Sequence, residues 1–516
     1  MIPDYEPVGL SDFDDPEVQE SFQEAIRKVD SEAGKEYPLI IGGEEIWTDD
    51  YIESVDPANK DHVVGRVSTS TEEHARQAIE TSWEAYETWR DFSGEERARV
   101  LWKACEMMKE RRHELSATMV AEVSKNWVEA DADTAEAIDF LNFYGHEADR
   151  LSQRQPLTRL PDRDNELYYI PLGAGSVISP WNFPLAILCG MTSASIAAGN
   201  ATAVKPASDS VVIAYKFAEI MREAGMPEGV LNFVPGSGSD VGRTLVEHPR
   251  TRFINFTGSR EVGVQINREA AKVREDQVWL KRVLAEMGGK DAVIIDRDLY
   301  DRQEAVNGVV RSAFGYQGQK CSAGSRLILH DDVYEDVLES VVERTEEISV
   351  GDPRDPENYM GAVINRAQFD KISSYIDIGR DEGDLLTGGG TDDEQGFFID
   401  PTIFAGADPD ARIAQEEIFG PVLTVLRADD FDHALEIANG TEYALTGSVF
   451  SSNRRKLENA RDRFEVGNLY FNRKCTGALV DVEPFGGFRM SGTNAKAGGR
   501  DYLKRLSKVK SVSEKL

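Results

Sequence analysis

The chain has 516 residues, 41% of them hydrophobic, and sets 92 Asp and Glu against 58 Lys and Arg for a formal net charge of −34. That length can bury a large core in two or three domains, and that charge repels nucleic acid and anionic lipid. Arg outnumbers Lys 38 to 20, and a carboxylate surplus short of lysine predicts adaptation to high salt, where screening shortens the reach of self-repulsion.

The first residues, Met1-Ile2-Pro3-Asp4-Tyr5-Glu6, have neither the basic start nor the apolar run of a secretory signal. No stretch approaches the roughly 20 apolar residues that span a bilayer, so a cytoplasmic protein without membrane contact is expected. Pro16 to Val29 reads as an amphipathic helix on the outside of the fold, and Tyr37 to Asp50 as a hairpin turning at Gly42-Gly43. Glu72 to Trp89, Gly94 to Arg111 and Val120 to Arg150 carry apolar residues at helical spacing, which puts Cys105 in the core.

From Leu172 short β-rich runs alternate with helical stretches: 175–179, 201–205, 230–234 and 252–256. A second such series runs from Asp291-Ala292-Val293-Ile294-Ile295 to about Gly477. Alternating strands and helices predict the α/β class, with mainly parallel sheets covered on both faces. Cys105, Cys189, Cys321 and Cys475 lie far apart with no C-x-x-C pair, so reduced thiols and no metal site are expected.

Gln317-Gly318-Gln319-Lys320-Cys321-Ser322-Ala323 sets a thiol among small residues beside a cation. A neighbouring positive charge lowers a thiol's pKa and populates the nucleophilic thiolate, so Cys321 is the candidate nucleophile. Pro180-Trp181-Asn182-Phe183-Pro184 follows a strand and places the Asn182 amide where α/β folds put their sites, able to hold an oxyanion. Glu286-Met287-Gly288-Gly289-Lys290 offers a carboxylate on a Gly-rich hinge, suited to activating water.

Lys205-Pro206-Ala207-Ser208 ends a strand, where a Lys reaches ribose hydroxyls. The Gly258-Ser259 turn leads into a helix whose N–H groups suit a pyrophosphate, although it is not the G-x-G-x-x-G fingerprint. Glu417 and Phe419 of Glu416-Glu417-Ile418-Phe419-Gly420-Pro421 suit a ribose and a nicotinamide ring. Each segment alone reads equally as a turn, a helix cap or a surface carboxylate.

Together and in this order, the six motifs resemble the aldehyde dehydrogenase superfamily over nearly the whole chain. Met287 departs from the family's usual Leu but keeps the apolar volume. Asn472 to Val480, Pro484-Phe485-Gly486-Gly487-Phe488, Ser491 to Asn494 and Ala135 to Phe140 narrow the resemblance to the branch that oxidises L-glutamate γ-semialdehyde, from 1-pyrroline-5-carboxylate, to L-glutamate in proline breakdown.

The resemblance implies a parallel-sheet NAD-binding domain (1–150 and 171–287), a catalytic α/β domain (288–483) and a small β oligomerisation element (151–170 and 484–516). The alternating tail from Ser507 to Glu514 would add to a partner's sheet in a homodimer or an assembly of dimers. Cys321 would form a thiohemiacetal and then a thioacyl enzyme, Asn182 and the Cys321 N–H would hold the oxyanion, and Glu286 would activate the hydrolytic water. Pro180, Trp181, Lys205, Ser208, Gly258, Ser259, Glu417 and Phe419 would bind NAD. Ser208, where many relatives have Glu, would leave some tolerance of NADP. Ser322 with the Gly477 and Ala478 N–H groups would take the substrate carboxylate, Phe183 and Phe485 would flank its chain, and Glu136 would meet its ammonium. Cys475 would pack.

Two other readings stay open: a dehydrogenase for another acidic semialdehyde such as succinate semialdehyde, and a non-catalytic NAD-binding protein on the same fold. The chain carries no second catalytic region, so proline oxidation is expected from a separate proline dehydrogenase rather than from a bifunctional protein.

Overall fold

Residues 5–516 are described in a computed structural model; Met1–Asp4, part of the segment read for a signal, lie outside the described residues. A seven-stranded sheet has the order Arg282–Glu286, Phe253–Thr257, Ala174–Ile178, Ala201–Lys205, Leu231–Phe233, Leu39–Ile41, Glu44–Ile46. Its first five strands are parallel and joined to one another in chain order by helical crossovers, and the Leu39–Ile41 hairpin arm closes one edge antiparallel. Its central strands Phe253–Thr257, Ala174–Ile178 and Ala201–Lys205 are buried on both faces, as helices on either side require.

Register decides where the chemistry lands. Lys205 pairs with Ile178, Ile178 with Phe256, and Thr257 with Glu286. The C-terminal ends of four neighbouring strands, each followed by one of the motifs, therefore line up along one edge of the sheet. A second seven-stranded sheet has the order Asp384–Thr387, Thr402–Ala405, Val422–Ala428, Arg326–His330, Ala292–Ile295, Thr446–Phe450, Asn468–Phe471, parallel apart from its first strand. It carries its own apolar core around Val293, Leu327 and Val425.

The expected helices stand at Pro16–Ser31, Glu72–Trp89 and Gly94–Glu110, the last two opened by capping boxes at Thr71 and Ser93. The helix expected through 120–150 is two helices. Arg112–Val123 ends at Ser124 in the left-handed region (φ 55°), and Trp127–Ser152 restarts behind the Asn126 cap. An apolar pattern alone does not show this break, because Lys125 between the two helices is itself fully buried.

The tail strand Ser507–Lys515 pairs antiparallel with Arg163–Pro171 of its own chain over nine residues. On this two-stranded ribbon the tail strand is exposed almost throughout, while Arg163–Pro171 is half-buried beyond its first two residues. Among the described residues no helix is long and apolar enough to cross a membrane, and no cluster of His, Cys, Asp and Glu could hold a metal ion.

Candidate active site

Cys321 follows the helix Arg302–Phe314 on a tight loop in which Tyr316 (φ 50°) and Gln317 (φ 54°) take left-handed conformations that non-glycine residues rarely adopt. The strain is held by anchors. The Tyr316 hydroxyl donates to Val123 O at 3.1 Å, and Gln317 Nε2 donates to Ser124 O and Ala362 O at 2.9 Å each. At Gly318 a Cβ would lie 2.3 Å from Gly420 O, so only glycine lets the thiol loop seat against the Phe419-Gly420 turn.

Cys321 is half-buried, whereas Cys105, Cys189 and Cys475 are buried. Cys475 packs as expected, its Sγ donating to Ser322 O at 3.3 Å. That contact joins the 475–478 segment to Ser322, which brings three of the carboxylate-binding candidates into one neighbourhood.

Contrary to expectation, Lys320 does not lower the thiol's pKa. Its Nζ is 2.6 Å from Glu129 Oε1. Burial first, then the carboxylates of Asp291, Glu417 and Glu286, push the Cys321 thiol far above its ordinary range. The protein alone thus holds a neutral thiol in an acidic surround, and its proton must be taken by a base.

Asn182, 4% exposed, donates from Nδ2 to Gln319 O at 3.1 Å, which pins the amide two residues from the sulfur. Glu286 closes its strand, with Oε1 accepting from Ala495 N at 3.4 Å and Oε2 buried without a partner. Desolvation raises its carboxyl to about 8. An acceptor atom left unpaired, on a carboxylate close enough to raise the Cys321 thiol's pKa, is what a general base for water requires.

The two glycines after Glu286 serve close approach rather than only a hinge. A Cβ on Gly288 would lie 2.2 Å from Glu417 Oε2, and one on Gly289 would lie 2.4 Å from Cys321 O. Gly289 N donates to Glu417 Oε1 at 2.9 Å. Phe419 takes a left-handed φ of 62° and meets Trp181 edge-on at 5.5 Å. Glu417, Phe419, Trp181 and the thiol loop are thereby drawn together.

A cavity of about 760 Å³ opens along the aligned strand ends, lined by Pro180, Trp181, Lys205, Gly258 and Ser259 among others. Its features fit a dinucleotide. The Ser179 hydroxyl on its wall is buried with no partner. Burial pulls the Lys205 ammonium down to about 8, so an ordered acceptor there would be well rewarded. Ser259 caps the helix Arg260–Ala270, whose first N–H groups suit an anion. Three of the expected contacts do not line this cavity: Glu417 and Phe419, drawn to the thiol loop and Trp181, and Ser208, which is exposed on a short 3₁₀ turn.

Phe183 is half-buried, and Phe485 is paired through its backbone with Ala497, next to Gly486, which abuts Glu286. Glu136 is half-buried rather than the solvated carboxylate an acidic chain leads one to expect, and burial with Asp133 close by raises its carboxyl to about 8.

Behind these residues lies a layer of charge that none of the sequence motifs contains. Lys125 and Asp133, both fully buried, form an ion pair at 2.9 Å. Lys125 Nζ also sits 3.9 Å from the Phe183 ring centre and 4.4 Å from that of Tyr316. The signal was present: Glu129, Asp133 and Glu136 recur at spacings of four and three, which puts three carboxylates on one helix face.

The aldehyde dehydrogenase family profile matches residues 47–512. A 1-pyrroline-5-carboxylate dehydrogenase of Geobacillus sp. (strain WCH70) is 55% identical over 514 residues, with both chains covered in full. The crystal structure of 1-pyrroline-5-carboxylate dehydrogenase from Thermus with bound NAD superposes with a TM-score of 0.98 at 50% identity, covering all of both chains. Proline utilization A from Bdellovibrio bacteriovorus is 42% identical with a TM-score of 0.97, covering 99% of this chain and 53% of that longer one. This chain belongs to the aldehyde dehydrogenase family.

Proposed function

We propose that the chain is an NAD-dependent dehydrogenase that oxidises L-glutamate γ-semialdehyde, in equilibrium with 1-pyrroline-5-carboxylate, to L-glutamate. The observation that carries this reading is the convergence on Cys321: a strained loop presents the one half-buried thiol, with Asn182 fixed to that loop, Glu286 beside it and the dinucleotide-sized cavity alongside. Full-length identity of 55% to a 1-pyrroline-5-carboxylate dehydrogenase supports the substrate.

In the proposed reaction the thiol loses its proton to a base and Cys321 Sγ adds to the aldehyde carbon. The resulting alkoxide is held by Asn182 Nδ2 and the Cys321 N–H, a contribution of about 3–4 kcal/mol for one such donor. Bound NAD supplies the acceptor for the hydride. Cys321 is left as a thioester, and Glu286 takes a proton from water as its oxygen attacks the acyl carbon, releasing the acid and the thiol.

Pro180, Trp181, Lys205, Gly258, Ser259, Glu417 and Phe419 would hold NAD, with Ser208 at the edge of that set. Ser322, Gly477 and Ala478 would hold the α-carboxylate, Phe183 and Phe485 the chain, and Glu136 the ammonium. We assign cofactor binding to 1–150 and 171–287, catalysis to 288–483, and assembly to 151–170 with 484–516. The exposed tail strand of the 163–171/507–515 ribbon suits a homodimer or an assembly of dimers. We place the enzyme in the cytoplasm, after a separate proline dehydrogenase. Turnover of glutamate semialdehyde compared with succinate semialdehyde tests the substrate: a higher kcat/KM for succinate semialdehyde overturns it.

A further inference from the structure

A second cavity, of about 440 Å³, touches the Lys320–Glu129 pair through Glu129 and contains none of the residues assigned above to substrate or cofactor. Its size suits a small organic ligand. Its polar wall is rich in donors. Arg311 and Lys474 both line it, and neither has a hydrogen-bond or ion-pair partner among the described residues. Trp127, 3% exposed and also on the wall, has a buried indole N–H with no partner. Glu129 is engaged by Lys320 at 2.6 Å, and Glu357 stands exposed at the rim.

The site is built rather than incidental. The 26-residue helix Trp127–Ser152 begins at this wall, and its cap Asn126 reaches across to donate from Nδ2 to Tyr359 O at 2.7 Å. Lys474 is half-buried, and its ammonium is pulled down by burial and by Lys320, Arg311 and Arg473, with Glu129 opposing. With Glu357 at the rim and Glu483 on Arg473 included, these four cations still outnumber the three carboxylates, in a chain of net charge −34. Phe13, Pro356 and the Tyr359 ring supply apolar surface beside it.

We propose that this cavity binds a short-chain carboxylate, its carboxyl group between the Arg311 guanidinium and the Lys474 ammonium and its carbon chain against Phe13, Pro356 and Tyr359. Lone donors next to an apolar wall select an acceptor-only head on an apolar body.

The test uses the full-length wild type with succinate and inorganic phosphate as probes, by calorimetry and by crystals soaked in each. Arg311→Gln and Lys474→Gln probe the cavity, and Phe485→Ala probes the aldehyde pocket; thermal melts check that each folds. Succinate density between Arg311 and Lys474 is expected, with a dissociation constant raised about 10-fold or more in either Gln variant and unchanged in Phe485→Ala. Absence of succinate binding at tens of millimolar, binding indifferent to Arg311→Gln, or tighter binding of phosphate than of succinate overturns the proposal. These readouts do not depend on aldehyde oxidation, so they stand apart from the proposed reaction.

Discussion

The Lys125 ammonium lies 3.9 Å from the centre of the Phe183 ring, fully buried, while its counter-ion Asp133 accepts from Ala186 N at 2.6 Å just past the Pro-Trp-Asn-Phe-Pro segment. One buried ion pair thereby ties the kink before helix Trp127–Ser152 to the segment bearing Asn182 and Phe183. Lys125→Met strips the partner from a buried carboxylate, and we expect a loss of about 3–5 kcal/mol in urea unfolding. Lys125→Met with Asp133→Asn removes both charges and keeps an acceptor for Ala186 N, so it should recover most of that loss. Equal instability of the single and double variants contradicts this account of the pair.

Glu286 sets a pH dependence. Its raised carboxyl, at about 8, holds a proton near neutrality, so the deprotonated base appears only as pH rises. We expect kcat to climb with pH and level off above about 8. Glu286→Gln should lower kcat by about 10²–10⁴-fold and abolish that inflection in single-turnover thioester hydrolysis.

The same shift acts on stability with the opposite sign. The folded state binds the Glu286 proton more tightly than the unfolded chain does, so the group costs stability increasingly as pH rises from the ordinary carboxylate range to about 8. Glu286→Gln should therefore melt higher than wild type at pH 9 and show little of this gain at pH 5.

Ser208 tests the cofactor reading. It is exposed at the edge of the nucleotide cavity's Lys205 loop, leaving no carboxylate at that position to repel a 2′-phosphate. NADP should support turnover with kcat/KM within about 1000-fold of NAD, and Ser208→Glu should widen the gap. A wider gap in the wild type removes any role for Ser208.

Most of the fold and the first layer of the candidate site were legible because strand ends and turns leave local marks. Lys205, Asn182, Glu286 and Ser259 each sit where a β-rich run gives way to Pro, Gly or Ser, and parallel register aligns those ends. What was not legible depends on partners distant in sequence. Lys320 sits beside Cys321 in the chain yet turns to Glu129, 191 positions away. The break at Ser124 was hidden because Lys125 is buried against Phe183 and Tyr316, rings that no local window contains. The Gly-Gly after Glu286 reads as a hinge until Glu417 is found pressed against it.

The acidic composition carries one further expectation. With a net charge of −34, the folded chain repels itself, and added salt should relieve that cost. The thermal midpoint should rise steadily from 0.1 M to about 2 M KCl, with activity retained. A midpoint that falls over this range removes the salt-adaptation reading.

Whether Cys321 forms a thioester with a carboxylate-bearing aldehyde is decided by following NADH formation from NAD and 1-pyrroline-5-carboxylate in wild type and Cys321→Ala side by side. Robust reduction by the wild type, none by the variant, and unchanged NAD binding by both is the predicted result. Residual oxidation by Cys321→Ala, or an inactive wild type that binds NAD, would contradict it.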